Sequence, residues 1–245
     1  MRAMIATPPR RPVRLGPCDT FDTMATPALT LKSLPLFPLD TVLFPGGRLP
    51  LQVFEVRYLD MVGKCQRTGA PFGVVGLQAG REVRAAGAPD EELLSIGTLA
   101  HVSELRQPQA GLLHLRCQGS QRFRIDRASR LPHGLWVADV TLLPGDATVS
   151  VPDDLRPAAD ALRQVRRQLA VRAAAESPPP APAAAEDAED DAHYADCGWV
   201  ANRWCELLPL PLPTRQQLMS LDNPLLRLEL VSDLLDRVGI NGGQR

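Results

Sequence analysis

The sequence contains few aromatic residues, almost no lysine and nearly balanced charge. Aromatic side chains make up 4% of the 245 residues, which leaves few surfaces for stacking the bases of single-stranded nucleic acid. The formal net charge of −1 provides no overall attraction to nucleic acid or to an anionic membrane. No apolar run approaches the roughly 20 residues that a membrane-spanning helix requires. The composition is therefore typical of a globular protein without a membrane segment.

Cysteine is also scarce, because the chain has five cysteines in all, an odd number at wide spacing. That pattern argues against a disulfide framework and is typical of a reducing compartment. The N-terminus carries Arg2, Arg10 and Arg11 but no apolar stretch after them, which argues against a signal peptide. We therefore expect a cytoplasmic protein. Everything that resembles a domain lies after Met24, which is a candidate for the true start.

Motifs for ATP hydrolysis, peptide cleavage and metal binding are absent as well. Gly63 and Lys64 are followed by Cys65 and lack the upstream glycine of a phosphate-binding loop. Lys64 falls on a predicted helix without a neighbouring serine, whereas a reactive lysine must be desolvated or paired. The nearest candidate metal ligands are three in number, one short of a structural zinc site: His193, Cys197 and Cys205. We expect no catalytic residue, no metal and no cofactor.

The stretch from Leu34 to Met61 organises the rest of the chain. It begins with an apolar run interrupted by prolines, which is typical of an edge strand. The sequence Pro45-Gly46-Gly47 predicts a turn, and Leu49 to Phe54 predicts a second strand. From Val56 to Cys65 the apolar spacing changes to about 3.6 residues, which predicts a helix. This segment is therefore expected to form strand, glycine turn, strand and helix.

Further strands are predicted along the chain up to about residue 143. Apolar runs or alternation mark Pro71 to Leu77, Ile96 to Leu105, Leu113 to Cys117 and Leu135 to Leu143. Phe123 and Ile125 also alternate with Arg122 and Arg124, which predicts a strand with these arginines on its polar face. A turn is expected at Gly119-Ser120. Several short strands separated by glycine turns favour a small closed or nearly closed β-barrel.

The remaining sequence is predicted to be helical. A helix begins after the cap candidates Asp153 and Asp154, and the acidic, alanine- and proline-rich segment 177–192 interrupts the helical region as a flexible linker. Apolar residues from Tyr194 to Leu208 then recur at steps of three and four. The region from 151 to 240 is therefore expected to hold three or four helices.

Two cap signals predict where the last helices begin. Thr214 with Gln217 predicts a capping box, and Asn223 followed by Pro224 predicts an N-cap with proline in the first turn. The last helix is apolar on two faces, which favours a central position in a bundle.

Three ordered segments carry a family resemblance. These are LPLFPLDTVLFPGGRLPLQVFEVRYLDMV from Leu34, IGTLAHV from Ile96 and LHLRCQGSQRFRI from Leu113. They resemble the Lon N-terminal domain family, the substrate-binding portion of ATP-dependent Lon proteases, and in particular its stand-alone bacterial members without protease machinery. The resemblance is strong over 34–143 and looser over 153–239.

The resemblance implies a fold and a domain arrangement. It implies an α+β protein with a PUA-like β-barrel domain over 34–150 and a helical subdomain over 151–240. Residues 1–33, which show no periodicity, are expected to form a flexible arm. The implied activity is non-catalytic binding of unfolded or extended polypeptide, in an adaptor or regulator of protein quality control.

The glycine turn and the strand after it supply the candidate binding residues. Phe44, Pro45, Leu49 and Phe54 lie around the turn, and Tyr58 extends the set along the helix. Exposed apolar patches commonly mark interaction sites, and loop residues are freer to contact a partner, so Phe44 and Pro45 are the first candidates. For Phe54, core packing is the stronger competing interpretation.

RNA binding is the alternative, because PUA-like folds elsewhere bind RNA. Arg122 and Arg124 lie on a predicted strand, and a second group of arginines lies on the first long helix. Such contacts would give salt-dependent binding. The near-zero net charge and the few aromatic residues argue against this alternative, so nucleic acid is the less favoured partner.

Overall fold

The computed structural model describes residues 29–79, 91–176 and 191–240. Residues 1–28 of the predicted arm (1–33) and residues 177–190 of the predicted linker (177–192) lie outside these ranges. The described remainder of the arm enters β1 at Thr30, and the described remainder of the linker belongs to α3. Within them six strands form one sheet: β1 (Thr30–Leu39), β2 (Arg48–Val53), β3 (Phe72–Ala79), β4 (Glu92–Gln109), β5 (Leu112–Arg130) and β6 (Trp136–Leu142). The helices of the same ranges are α1 (Val56–Thr68), α2 (Arg156–Glu176), α3 (Asp191–Tyr194), α4 (Cys197–Leu207), α5 (Leu212–Ser220) and α6 (Pro224–Arg237).

The long strand β5 connects the two ends of the sheet. The strand order is β2-β5-β4-β3-β1-β6, and β5 also pairs with β6. The first half of β5, from Leu113 to Gln118, pairs with β2, and the half from Phe123 to Arg130 pairs with β6. Strands β1 and β3 are parallel, whereas the other pairings are antiparallel. Because β1 lies between β3 and β6, the expectation that it forms an edge strand is wrong. The predicted α+β class is confirmed, and the PUA-like barrel remains a prediction.

Gly119 has a different role from the predicted one. The sequence predicts a turn at Gly119-Ser120, but β5 continues through both positions. The N–H of Gly119 donates to the carbonyl oxygen of Gly47 at 2.8 Å, and the N–H of Gly46 donates to the carbonyl oxygen of Gly119 at 2.9 Å. A Cβ at position 119 would lie 2.5 Å from the carbonyl oxygen of Phe44. Glycine at this position therefore permits the close approach of two backbones.

Helix α1 covers one part of the sheet. The predicted helix is present, and its Tyr58, Met61, Val62 and Cys65 side chains are buried against apolar side chains of the strands. Val56, at the start of the predicted apolar face, is exposed. The buried face is therefore rotated relative to the predicted one.

The helical part has its own apolar core. Its described residues form five α-helices, α2 to α6, where three or four were expected. The predicted stripe of α4 is buried, including Cys197, Ala201 and Trp204. The same core includes Val42 and Phe44 from the segment between β1 and β2. The segment before the glycine turn therefore packs with the helices. No helix in the described ranges is both long and apolar enough to span a membrane.

The cap predictions have different outcomes. The Asn223 side chain accepts hydrogen bonds from the N–H groups of Leu225 and Leu226, which confirms this N-cap. The predicted capping box at Thr214 is wrong, because α5 begins at Leu212 without a side-chain cap. The expected second buried face of α6 is also wrong, since Leu226 and Leu230 are exposed.

Candidate functional site

The glycine turn faces the helical part of the molecule. The side chain of Phe44 is 0% exposed, so the expectation that it lies on an open loop is wrong. Arg203 of α4 donates to the carbonyl oxygens of Gly46 at 2.7 Å and Pro45 at 2.8 Å. The same guanidinium lies 3.0 Å from a carboxylate oxygen of Glu206. Helix α4 therefore covers the turn, and of the two leading candidates only Pro45 keeps partial exposure.

The other candidate residues lie along β2 and the start of α1. The side chain of Phe54 is 55% exposed, so its interpretation as a core residue is wrong. It lines a cavity of about 290 Å³, which we call the apolar groove. The groove is lined by residues of β1, β2, α1 and the connection between β2 and α1: Phe37, Leu39, Pro50, Leu51, Gln52, Val53, Phe54, Glu55 and Tyr58. The structure therefore brings Phe54 and Tyr58 to one groove, whereas Leu49, five residues before Phe54, lines neither groove.

Strand alternation explains how β2 presents its side chains. Leu49, Leu51 and Val53 pack with the apolar residues beneath the sheet, Val53 being the most buried of the three. The intervening Pro50 and Gln52 are exposed. Successive side chains of a strand point to opposite faces, so Phe54 follows the exposed set. The chain then enters α1, which fixes the end of the groove.

The floor of the apolar groove is held by aromatic and ionic contacts. The ring of Tyr58 stacks on Phe37 with centroids 4.1 Å apart, and the Arg57 guanidinium lies 4.5 Å from the Tyr58 ring centre. Arg57 also pairs with Glu55 at 2.9 Å and donates to the carbonyl oxygen of Gly134 at 2.7 Å. Burial raises the pKa of the Tyr58 hydroxyl, so the phenol stays protonated. Tyr58 is therefore part of a rigid floor.

A second cavity of about 410 Å³ shares three β2 residues with the apolar groove. We call it the polar groove because charged and polar side chains of β4 and β5 line it. Its lining comprises Pro50, Leu51, Gln52, Glu104, Arg106, His114, Leu115 and Arg116. An ion pair of 3.3 Å joins Arg116 to Glu104. Sequence inspection missed this groove, although the alternation in β5 already placed His114 and Arg116 on one face.

One edge of β2 has no strand partner in the described part of the chain. β2 pairs with β5 from Arg48 opposite Gln118 to Val53 opposite Leu113, and it ends the strand order. Pro50 lies in the middle of β2, and proline within a sheet is largely confined to edge strands because it lacks an N–H group. β2 is therefore an edge strand that lines both grooves.

The two arginines predicted to contact RNA differ in their exposure to solvent. Arg122 is 3% exposed, and its guanidinium donates to the carbonyl oxygens of Met219 at 2.9 Å and Leu221 at 3.1 Å. The prediction that Arg122 contacts nucleic acid is wrong, because the segment between α5 and α6 covers this part of β5. Arg124 is exposed and lies 3.6 Å from Asp126.

The candidate metal ligands also have distinct environments. Cys197 and Cys205 are fully buried in the helical core, whereas His193 is exposed and stacks on Trp199. Burial raises the pKa of Cys197 to about 11 and that of Cys205 to about 12. Both side chains therefore remain protonated thiols that fill core volume.

Comparison with known proteins shows what this arrangement resembles. A Lon protease from Paraburkholderia phytofirmans is 35% identical over 150 residues, which cover 60% of this chain and 17% of that protein. Lon protease 2 from Myxococcus xanthus is 28% identical over 221 residues, which cover 87% of this chain and 25% of that protein. The chain thus spans a quarter or less of the length of these two relatives.

Solved structures and a family model extend the comparison. A Lon N-terminal domain protein from Xanthomonas campestris superposes with a TM-score of 0.61 at 30% identity, covering 83% of this chain and 98% of that one. The N-terminal domain of a Mycobacterium avium complex Lon protease shares the fold, with a TM-score of 0.52 at 18% identity over 87% of this chain and 100% of that one. The model of the ATP-dependent protease La (LON) substrate-binding domain matches residues 33–237. The chain therefore belongs to the LON substrate-binding domain family.

Proposed function

We propose that the chain binds extended polypeptide segments in the apolar groove and catalyses no reaction on them. The observation that carries this proposal is the exposure of Phe54 beside a groove with an aromatic floor. Exposed apolar residues that cluster beside a cavity commonly mark an interaction surface, and Phe54 is accompanied here by Val56, which is 72% exposed. Membership of a substrate-binding family supports the same conclusion.

The shape of the apolar groove favours an extended guest. Six consecutive residues, from Pro50 to Glu55, line the apolar groove. One wall of the groove therefore runs parallel to the backbone of β2. A volume of about 290 Å³ lies at the lower limit for a small-molecule pocket. That volume suits one or two apolar side chains of a guest. Burial of each side chain contributes roughly 25 cal/mol for every Å² removed from water, which gives weak binding with modest sequence preference.

We further propose that the protein holds client chains for a proteolytic machine, as an adaptor or regulator. The support is that the relatives are named Lon proteases and that the matched part is their substrate-binding domain. Addition of the protein to a Lon protease of the same host should change the degradation rate of an unfolded client. An unchanged rate at saturating protein would contradict the adaptor role and leave the binding proposal intact.

The binding proposal is tested with a permanently unfolded client. Reduced and carboxymethylated α-lactalbumin, labelled with fluorescein, is titrated with the protein and followed by anisotropy. We expect binding at about tens of micromolar and at least about fivefold weaker binding for Phe54→Ala, because one aromatic contact is lost. The matched control is Leu226→Ala on α6, where a leucine of 41% exposure lies outside both grooves.

Two outcomes would contradict the proposal. One is unchanged binding by Phe54→Ala, which would remove the apolar groove as the site. The other is an equal loss in Phe54→Ala and Leu226→Ala, which would indicate nonspecific apolar adhesion. Circular dichroism of each variant establishes that it is folded before the titration.

A further inference from the structure

We propose that the bound polypeptide joins the sheet as an additional strand on the open edge of β2. This inference rests on the proposed function, because it describes how the same groove holds its guest. No strand of the described ranges pairs with that edge, so the edge-facing backbone groups of Pro50 and Gln52 can pair with a guest. Extended peptides use such edges in a known mode of recognition, in which main-chain hydrogen bonds supply affinity and alternate side chains supply specificity.

Pro50 determines which backbone groups face the guest. In an antiparallel pair, alternate residues direct their N–H and C=O groups to the same neighbour. Proline is tolerated in an edge strand when its nitrogen faces away from the paired strand, which is β5 here. Pro50 and Gln52 therefore present their backbone to the guest, with two carbonyl acceptors and the N–H of Gln52. Because Pro50 has no N–H group, the row of hydrogen-bond donors along this edge is interrupted. This interruption limits strand pairing between two copies of this chain.

The two faces of the added strand would contact different surroundings. Every second guest residue would point into the apolar groove, where Leu39 and Tyr58 offer apolar contact. The intervening residues would lie on the outer face beside Pro50 and Gln52, and Phe54 continues this face at the end of β2. The added strand would therefore carry apolar side chains at alternate positions.

The polar groove determines the preference at the intervening positions. Arg116 of β5 lies opposite Pro50, and Arg106 and Glu104 lie on β4, one strand further from the open edge. Arg116 is therefore the nearer cation for a guest side chain on the outer face, and the lining holds two positive charges and one carboxylate. Glu104 already contacts both guanidiniums, at 3.9 Å from Arg106 and 3.3 Å from Arg116. Both arginine side chains are largely exposed, which leaves donors for a carboxylate of the guest. The favoured guest therefore alternates apolar with acidic residues.

The test uses labelled peptides of about eight residues, a length that covers β2 at about 3.3 Å per residue. The first alternates valine with glutamate, the second alternates valine with lysine, and the third has the composition of the first with its valines contiguous. We expect the first to bind at least about tenfold more tightly than either of the others, a difference of about 1.4 kcal/mol. Arg116→Ala should reduce the preference for glutamate over lysine.

Backbone methylation distinguishes strand addition from side-chain contact alone. Two versions of the first peptide carry N-methyl groups, on every valine or on every glutamate. In an added strand, one of these sets of N–H groups faces β2 and the other faces solvent. We expect one version to lose binding and the other to retain it.

The outcomes separate this inference from the proposed function. Equal affinity of the two methylated peptides would overturn strand addition, as would equal affinity of the alternating and contiguous peptides. If Phe54→Ala still weakened binding of the unfolded client in that case, the groove would remain the site and only the mode of binding would be wrong. Unchanged client binding by Phe54→Ala would instead overturn the site itself.

Discussion

The guanidinium of Arg203 donates a hydrogen bond of 2.7 Å to the carbonyl oxygen of Gly46. Gly46 adopts a left-handed backbone with φ of 72°, which orients that oxygen towards α4 at no steric cost for glycine. A second arginine, Arg215, reaches Thr41 at 3.4 Å from the same helical side. β2 begins one residue after the turn, at Arg48. The helical part therefore fixes the start of the strand that lines both grooves.

Replacement of Arg203 by alanine should destabilise the protein. Two hydrogen bonds to backbone carbonyls and the ion pair with Glu206 would be lost in a mostly buried environment. We expect the free energy of unfolding to fall by about 2–4 kcal/mol, measured by urea denaturation. Arg203→Lys should fall between the wild type and Arg203→Ala, since it keeps the charge and loses the planar donor pair. The control is Arg167→Ala on the exposed face of α2, expected within about 0.5 kcal/mol of the wild type.

Glu206 should make stability depend on pH. Burial raises its pKa from 4.5 to about 7, against the opposing charges of Arg203, Arg166 and Arg215. Between these two values the folded protein holds a proton that the unfolded chain releases. The free energy of unfolding contributed by Glu206 therefore falls as pH rises through this window and is constant above it.

The measurement for Glu206 compares urea midpoints of the wild type and Glu206→Gln from about pH 5 to about pH 8. The variant should lose less stability across this range, because glutamine does not titrate. Parallel curves for the two proteins would contradict the prediction.

Gly119→Ala should destabilise the contact between β5 and the glycine turn. The added Cβ would lie 2.5 Å from the carbonyl oxygen of Phe44 and 2.9 Å from the Leu43 side chain, and a backbone oxygen does not move easily. Overpacking of this kind costs about 1–3 kcal/mol. Gly145→Ala is the matched control, because a Cβ there meets nothing within 4 Å. Equal thermal midpoints for the two variants would show that the contact at position 119 relaxes without cost.

The local sequence pattern predicted the strands, helices and helix caps whose formation depends on residues close together in the chain. Alternation placed the strands around Leu113 and Leu115, the spacing of apolar residues placed α4, and the polar side chain of Asn223 marked the start of α6. Each of these signals acts over one or two turns of helix or a few strand residues. The resemblance supplied the family, and the comparisons confirmed it.

Burial of the candidate site was not predictable from local pattern. Phe44 is covered by helices that follow much later in the chain, and Arg203, which fixes the adjacent turn, lies 157 residues after Gly46. The same long-range cover buries Arg122, whose strand alternation predicted exposure. Phe54 shows the opposite case, because its apolar character favoured the core, whereas its position after Leu49, Leu51 and Val53 places it on the outward set of the strand.

Phe44 and Phe54 provide a test of that distinction within one segment. Phe44→Ala removes a ring that is fully buried in the helical core, and it should lower the free energy of unfolding by about 3–5 kcal/mol. Phe54→Ala removes a ring that is more than half exposed, and it should change stability by about 0.5 kcal/mol or less. Urea denaturation of the two variants measures both values.

Client binding should distinguish the same two variants, with the larger effect expected for Phe54→Ala. Phe54→Ala should bind the unfolded client weakly while remaining as stable as the wild type. Phe44→Ala should retain client affinity under conditions in which it is still folded, because its ring lines neither groove. The assignment of core to Phe44 and contact to Phe54 would be reversed if Phe44→Ala lost binding without losing stability. Stability and affinity should therefore respond to different phenylalanines, because the Phe44 ring packs in the helical core and the Phe54 ring lines the apolar groove.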